Sequence, residues 1–233
     1  MRRPFSEFCA LLEGLAGGDL LGVTAFGPVL EPGFAESGLS ATTVVVLQKV
    51  DMLFLRRLAE HGPHLGRLGI AAPLTMTPEY ITSSLDTFPL EMLEIQQLRT
   101  TLCGADHFAG LEIEPEHLRL QCERELKRIL IRLRHGLLAA SGRSDFLVEL
   151  EHDIGHHLLR TIRGLLWLAG HKSFQHVAAA LERCEERAGR SLPGIREAIR
   201  PDSQGSWEEF TALYHDAEAL AAAANKSLEG STH

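Results

Sequence analysis

Three places in the chain bring together residues that could do chemistry. The first is a glycine-rich loop. Leu20, Leu21, Val23 and Ala25 make a short apolar run that ends at Gly27-Pro28. Pro32, Gly33 and Gly38 follow, and then the β-branched run Thr42, Thr43, Val44, Val45, Val46 and Leu47. A strand–loop–strand of this kind can cradle phosphate through backbone N–H groups. Glu31 and Glu36 stand in the loop and read as solvated carboxylates. The second place is a stripe of Arg124, Arg128, Arg132 and His135 at three- and four-residue spacing, flanked by Glu123, Glu125 and Arg134. Such a stripe serves either as an anion groove or as a solvated, ion-paired helix face, and the second reading is carried forward. The third is Glu149, His152 and His156, on one helix face at spacings that suit a metal. The second half of an H-E-x-x-H motif is absent, and twelve histidines make neighbouring pairs common, so no metal site is assigned.

The elements that must hold these groups change character along the chain. Phe5 to Ala16 has helical spacing and stops at Gly17-Gly18. Asp51 is a helix cap, with Met52, Phe54, Leu55 and Leu58 expected inward to about His61, where Gly62-Pro63 breaks the helix. Leu68 to Leu74 reads as a short strand, and Thr77-Pro78-Glu79 as a helix start. Phe88 to Ile95, FPLEMLEI, alternates as a strand, which would put Glu91 and Glu94 on opposite faces. Leu98 to Leu102 reads as one more strand. From Pro115 onward only helices are expected. They cover 116–140 with Cys122, Leu126, Ile129, Leu130, Leu133 and Leu137 on one face, then 145–169, 173–188 and 206–228. Trp167, Trp207 and Phe210 fall at core spacing in this part.

The strand–loop–strand resembles the nucleotidyltransferase superfamily, the fold of kanamycin nucleotidyltransferase and DNA polymerase beta. There a strand ends in Gly-Ser, and the next strand opens with Ser-Asp-x-Asp. Gly27 matches the glycine and Ser40 the second serine, while Pro28 replaces the first serine. The two aspartate positions fall on Ala41 and Thr43. FPLEMLEI, LCGADHFAGLEI and LRLQCERELKRILIRLRHGLL extend the likeness, over roughly 20–190, to a bacterial group in which a helical region follows the catalytic domain. The resemblance implies ligand contacts at Gly27 and Ser40; on the anion-groove reading of the stripe, Arg124 and Arg128 would join them. It implies a residual third carboxylate at Glu91 or Glu94, and a general-base position at Glu123 or Glu125. Nucleotidyl transfer needs divalent metals held by hard oxygen ligands. Alanine offers none, and a threonine hydroxyl is a weak neutral one.

Composition frames the expectation. Hydrophobic residues make up 45% and charged residues 23%, ordinary for a globular chain, and the net charge of −8 argues against a nucleic-acid partner. The first 114 residues hold seven basic against fourteen acidic side chains, so the excess charge is concentrated there. Four dispersed cysteines, no signal-peptide pattern and no membrane-length apolar run indicate a cytoplasmic chain. The fold expected is α+β: a small mixed-sheet nucleotidyltransferase-like domain over 1–112, then an antiparallel helical bundle over 115–230. The function expected is a catalytically degenerate nucleotidyltransferase that acts as a nucleotide- or partner-binding or regulatory protein. Its ligand would sit in the cleft between domains, with no cofactor, no metal and no membrane contact, and a sheet edge open to homo-oligomer pairing. The alternatives are an active transferase with ATP, Mg²⁺ and non-standard carboxylates, and a pure interaction scaffold.

Overall fold

A computed structural model describes residues 2–31, 40–141, 143, 146–173, 176–200, 203 and 205–229. The chain falls into two compact units, Met1–Glu114 and Pro115–His233. The first holds α1 (Arg2–Ala16), β1 (Leu20–Phe26), β2 (Thr42–Leu47), α2 (Met52–Glu60), α3 (Gly62–Arg67), β3 (Leu74–Met76), α4 (Pro78–Ser83), α5 (Pro89–Gln97) and β4 (Arg99–Gly104). The second holds α6 (Pro115–Ala139), α7 (Leu147–Leu168), α8 (Val177–Ala188), α9 (Pro193–Ala198) and α10 (Trp207–Glu229). The class is α+β, a small mixed sheet followed by helices. No described helix is long and apolar enough to cross a membrane.

In the first unit the sheet order is β3-β2-β1-β4. β1 pairs antiparallel with β2 and with β4, and β3 runs parallel to β2. Period-two alternation decides the faces. Val23, Val45 and Leu47 pack with Phe8 and Leu12 of α1, Phe54 and Leu58 of α2, and Leu65 of α3. Phe8 and Leu12 are fully buried, each contributing about 1.5–3 kcal/mol of transfer free energy. Asp51 caps α2 by accepting from the Phe54 N–H at 2.8 Å, and Thr77 caps α4 by accepting from Tyr80 at 3.1 Å. Each such cap stabilises its helix by about 1 kcal/mol. The four cysteines are free thiols. Burial pushes the Cys9 thiol up to about 12, and a bond to Cys103 pushes the same way.

Three local expectations in this unit need correction. FPLEMLEI is not a strand but the start of helix α5. Pro89 occupies its first turn, and Leu90, Met92, Leu93 and Ile95 are all buried, so enclosure on several sides erases the periodicity that marks a surface helix. The strand expected at Leu68–Leu74 is reduced to a single bridge between Ile70 and Ala41, and β3 begins at Leu74. Met52 is 77% exposed rather than inward, because it is the first residue of α2 and precedes the buried Phe54–Leu58 stripe.

In the second unit the helices share one core. Leu126, Ile129 and Leu133 of α6, Ile154, Leu158 and Ile162 of α7, and Phe210, Leu213 and Ala217 of α10 belong to it. α6 and α7 are antiparallel: Arg132 meets Asp153 at 2.5 Å, while Gly136, further along α6, meets Leu150, earlier on α7. Ser206 opens α10 with a reciprocal cap. Its Oγ accepts from the Glu209 N–H, and Glu209 Oε2 accepts from the Ser206 N–H, both at 3.1 Å. Trp207 was expected inward but is 59% exposed, since the first residue after the cap lies off the stripe set by Phe210, Leu213 and Ala217. The expected helix start at Asp145 lies outside the described residues.

Candidate functional site

Polar side chains approach Gly27 at the end of β1. Gly27 is buried and sits at φ +71°, a left-handed conformation that glycine adopts without strain. A Cβ placed there would stand 3.5 Å from Thr42 Oγ1 and 3.8 Å from Glu94 Oε1. Thr42 is the cross-strand partner of Phe26 and donates its hydroxyl to the Phe26 carbonyl at 2.5 Å. Glu94 reaches this point from α5. As helix residues three apart, Glu91 and Glu94 share a face rather than opposing each other, which corrects the strand-based expectation.

Among the described residues of this loop, the N–H groups of Gly27 and Glu31 are committed. The Gly27 N–H donates to the Leu98 carbonyl at 3.0 Å, and Pro28 has no N–H to offer. Pro28 leads a 3-10 turn over Gly27–Leu30, closed by the Glu31 N–H donating to the Pro28 carbonyl at 2.9 Å. Ser40 is exposed. Glu31 is half-buried, while Glu36, Pro32, Gly33 and Gly38 lie outside the described residues.

Ala41 and Thr43 lie on the other face of β2. Thr43 pairs with Ala25, so it shares a face with Val45 and Val23. Ala41 is 3% exposed and packs with Ala25 and Val29, and its backbone is fixed by bonds to Gly69 and Ala71. Thr43 is 1% exposed, and its hydroxyl has no hydrogen-bond partner among the described residues. The Thr24 hydroxyl, on the opposite face, is buried and unbonded in the same way. Each such orphan costs about 1–3 kcal/mol. On the far side of β1 stands β4, RTTLCG, which carries no carboxylate. Its Arg99 instead forms a pair with Asp106 at 2.8 Å, holding that carboxyl below its usual range.

The helical unit disperses its candidates. Arg124, Arg128, Arg132 and His135 are exposed along α6. Arg128 pairs with Glu125 at 2.9 Å, and Arg132 with Asp153. Lys127 bonds Glu123 at 2.6 Å and holds its carboxyl low. Two of the four side chains of the stripe are thus ion-paired. Glu149 is exposed. His152 Nδ1 lies 3.3 Å from the Ala198 carbonyl, and His152 Nε2 lies 3.2 Å from His156 Nε2. Among the described residues no group of three metal-ligating side chains forms.

No family model and no curated protein matches the chain, but solved structures do. The chain shares its fold with a spectinomycin adenyltransferase. The match is to AAD(9) from Enterococcus faecialis, solved with ATP and spectinomycin. It has a TM-score of 0.60 over 95% of this chain and 98% of the adenyltransferase, at 11% identity. The nucleotidyltransferase fold expected from the loop is therefore met. At that identity the likeness to the adenyltransferase reaches the fold and stops there.

Two buried acids in the helical unit have no counterpart among the residues singled out from sequence. Glu151 of α7 is 1% exposed, and its Oε1 has no bonding partner among the described residues. Burial pushes its carboxyl up to about 7, and the charge of Glu209 adds to the rise. Asp216 of α10 is also buried, which raises its carboxyl, but it accepts from the Gly194 and Ile195 N–H groups at 2.8 and 3.2 Å and from Arg190 at 3.2 Å. From α10 it thus satisfies two first-turn N–H groups of α9, whose own N-cap residue, Leu192, offers no side-chain acceptor. Charged residues inside apolar helix repeats were the signal: Glu151 stands between Leu150 and Ile154, and Asp216 beside Ala217.

Proposed function

We propose that this is a nucleotidyltransferase-fold protein that does not transfer nucleotides and works as a binding or regulatory protein, its ligand a nucleotide or a partner chain. The observation that carries the proposal is the apolar packing of Ala41, with Thr43 buried beside it, at the two positions where the resemblance would put the metal-binding aspartates. The lack of any carboxylate on β4 agrees with it. Without hard anionic oxygens, Mg²⁺ keeps its water shell and bridges nothing. Calorimetry of the whole chain with ATP, with and without Mg²⁺ or Mn²⁺, tests the reading. A binder gives heat that does not depend on metal. Metal-dependent heat contradicts it, and no heat with any nucleotide moves the ligand to a partner chain.

A second reading, an active transferase with unusual ligands, is favoured by one observation: Glu94 does bring a carboxylate to Gly27. One carboxylate is a thin set for two metals. Incorporation of label from α-labelled ATP into any acceptor, abolished by Glu94→Gln, would establish it.

A further inference from the structure

The helical unit contains a cavity of about 570 Å³ between α6, α7, α8 and α10. That is the size range of small-molecule sites, about 300–1,000 Å³. No described residue of the first unit lines it, so it stands independently of the function proposed above. Its accessible wall is apolar, with Leu165 and Leu168 of α7 and Ala188 of α8 partly exposed to it over the buried Ile162, Leu166 and Leu220.

Its charged lining is unevenly satisfied. Glu123 is already neutralised by Lys127 at 2.6 Å. Glu116 sits exposed in the first turn of α6, where the helix dipole favours its charge. Arg119 of α6 and Arg187 of α8 also line the cavity, and neither has a hydrogen-bond or ion-pair partner among the described residues. Elsewhere in this unit Arg128, Arg132, Arg190 and Arg196 each hold a carboxylate. Arg119 also helps to hold the Glu123 carboxyl low, but neither guanidinium is held in a hydrogen bond or ion pair among the described residues, so the pocket has room for an apolar body and donors for one anionic head.

We propose that this cavity binds an amphipathic monoanion, a carboxylate on an aliphatic or aromatic body, with the body against the partly exposed Leu165, Leu168 and Ala188 and the carboxylate between Arg119 and Arg187. The probes are decanoate and the fluorescent dye anilinonaphthalene sulfonate, added to the whole folded chain. The dye should bind one saturable site and be displaced by decanoate. Ala223→Trp, at an exposed α10 position that lines the cavity, should abolish both. Arg119→Gln with Arg187→Gln should weaken decanoate by about tenfold, the scale of one charged hydrogen bond, and leave decanol unchanged. Circular-dichroism melts of each variant confirm that the fold is intact. The proposal is overturned if decanol binds wild type as tightly as decanoate, or if binding ignores Ala223→Trp. It is equally overturned if the double arginine variant binds decanoate unchanged, or if dye signal appears only as the chain unfolds.

Discussion

Glu94 and Gly27 meet at the end of β1, with Glu94 Oε1 3.8 Å from the point where a side chain on Gly27 would begin. The carboxylate comes from a helix that begins at Pro89, and the glycine holds a left-handed φ of +71°. The approach is one that glycine permits but does not strictly require for space, since 3.5 and 3.8 Å are ordinary contacts. What glycine supplies is the backbone. Gly27→Ala should therefore lose about 1–2 kcal/mol of stability, the cost of a left-handed non-glycine residue, as read by urea unfolding. A loss below half of that would mean the turn relaxes into another conformation.

Ala41 and Thr43 set the second prediction. Both are buried, Ala41 against Ala25 and Val29. Ala41→Asp with Thr43→Asp would place two carboxylates on one buried face of β2, with no carboxylate on β4 to complete a metal site. The expected cost is about 3 kcal/mol or more, and Mn²⁺ should not restore the melting temperature. A melting temperature that rises with Mn²⁺ in the double variant, and not in wild type, would show that the metal frame is still there.

The framework was legible where the residues speak locally. Asp51, Thr77 and Ser206 announced their helices as side-chain caps, and the β-branched run at Thr42–Leu47 announced its strand. The helical second half showed itself through the 3.6-residue stripe of α6. α5 was hidden because it is apolar on nearly every side, so alternation and helix pattern cannot be told apart in FPLEMLEI. Taken as a strand, the same stretch sends Glu91 and Glu94 to opposite faces and hides the approach of Glu94 to Gly27. The commitment of the Gly27 N–H to Leu98 is a tertiary bond, and nothing near Gly27 in sequence encodes it.

Glu151 makes a pH prediction. Its folded value, about 7, stands above its ordinary 4.5. The folded chain thus holds the proton more tightly than the unfolded one. The stability tied to the neutral acid is complete below pH 4.5 and is lost as pH rises through about 7. Wild type should lose stability relative to Glu151→Gln across that window, by at most about 1.4 kcal/mol per pH unit. Paired urea titrations at pH 5, 6, 7 and 8 (about one-unit steps through the window) read the difference. A flat difference would mean that Glu151 finds a partner when it ionises.

Asp216 and Gly194 tie α9 to α10. Asp216→Ala leaves two buried N–H groups and Arg190 without their acceptor, and should cost about 3 kcal/mol by urea unfolding. Gly194→Ala should be at least as severe, because its Cβ would fall 2.1 Å from the Leu213 nitrogen. If either variant loses less than about 1 kcal/mol, α9 is not held in the way described.

The central claim is that the start of β2 has lost its chemistry. The measurement that bears on it most directly is transfer of label from α-labelled ATP, with Mg²⁺ and with Mn²⁺, to the chain itself and to a panel of hydroxylated small-molecule and protein acceptors. The account predicts no incorporation with either metal, from wild type and from Glu94→Gln alike. Metal-dependent incorporation by wild type, lost in Glu94→Gln, would contradict it.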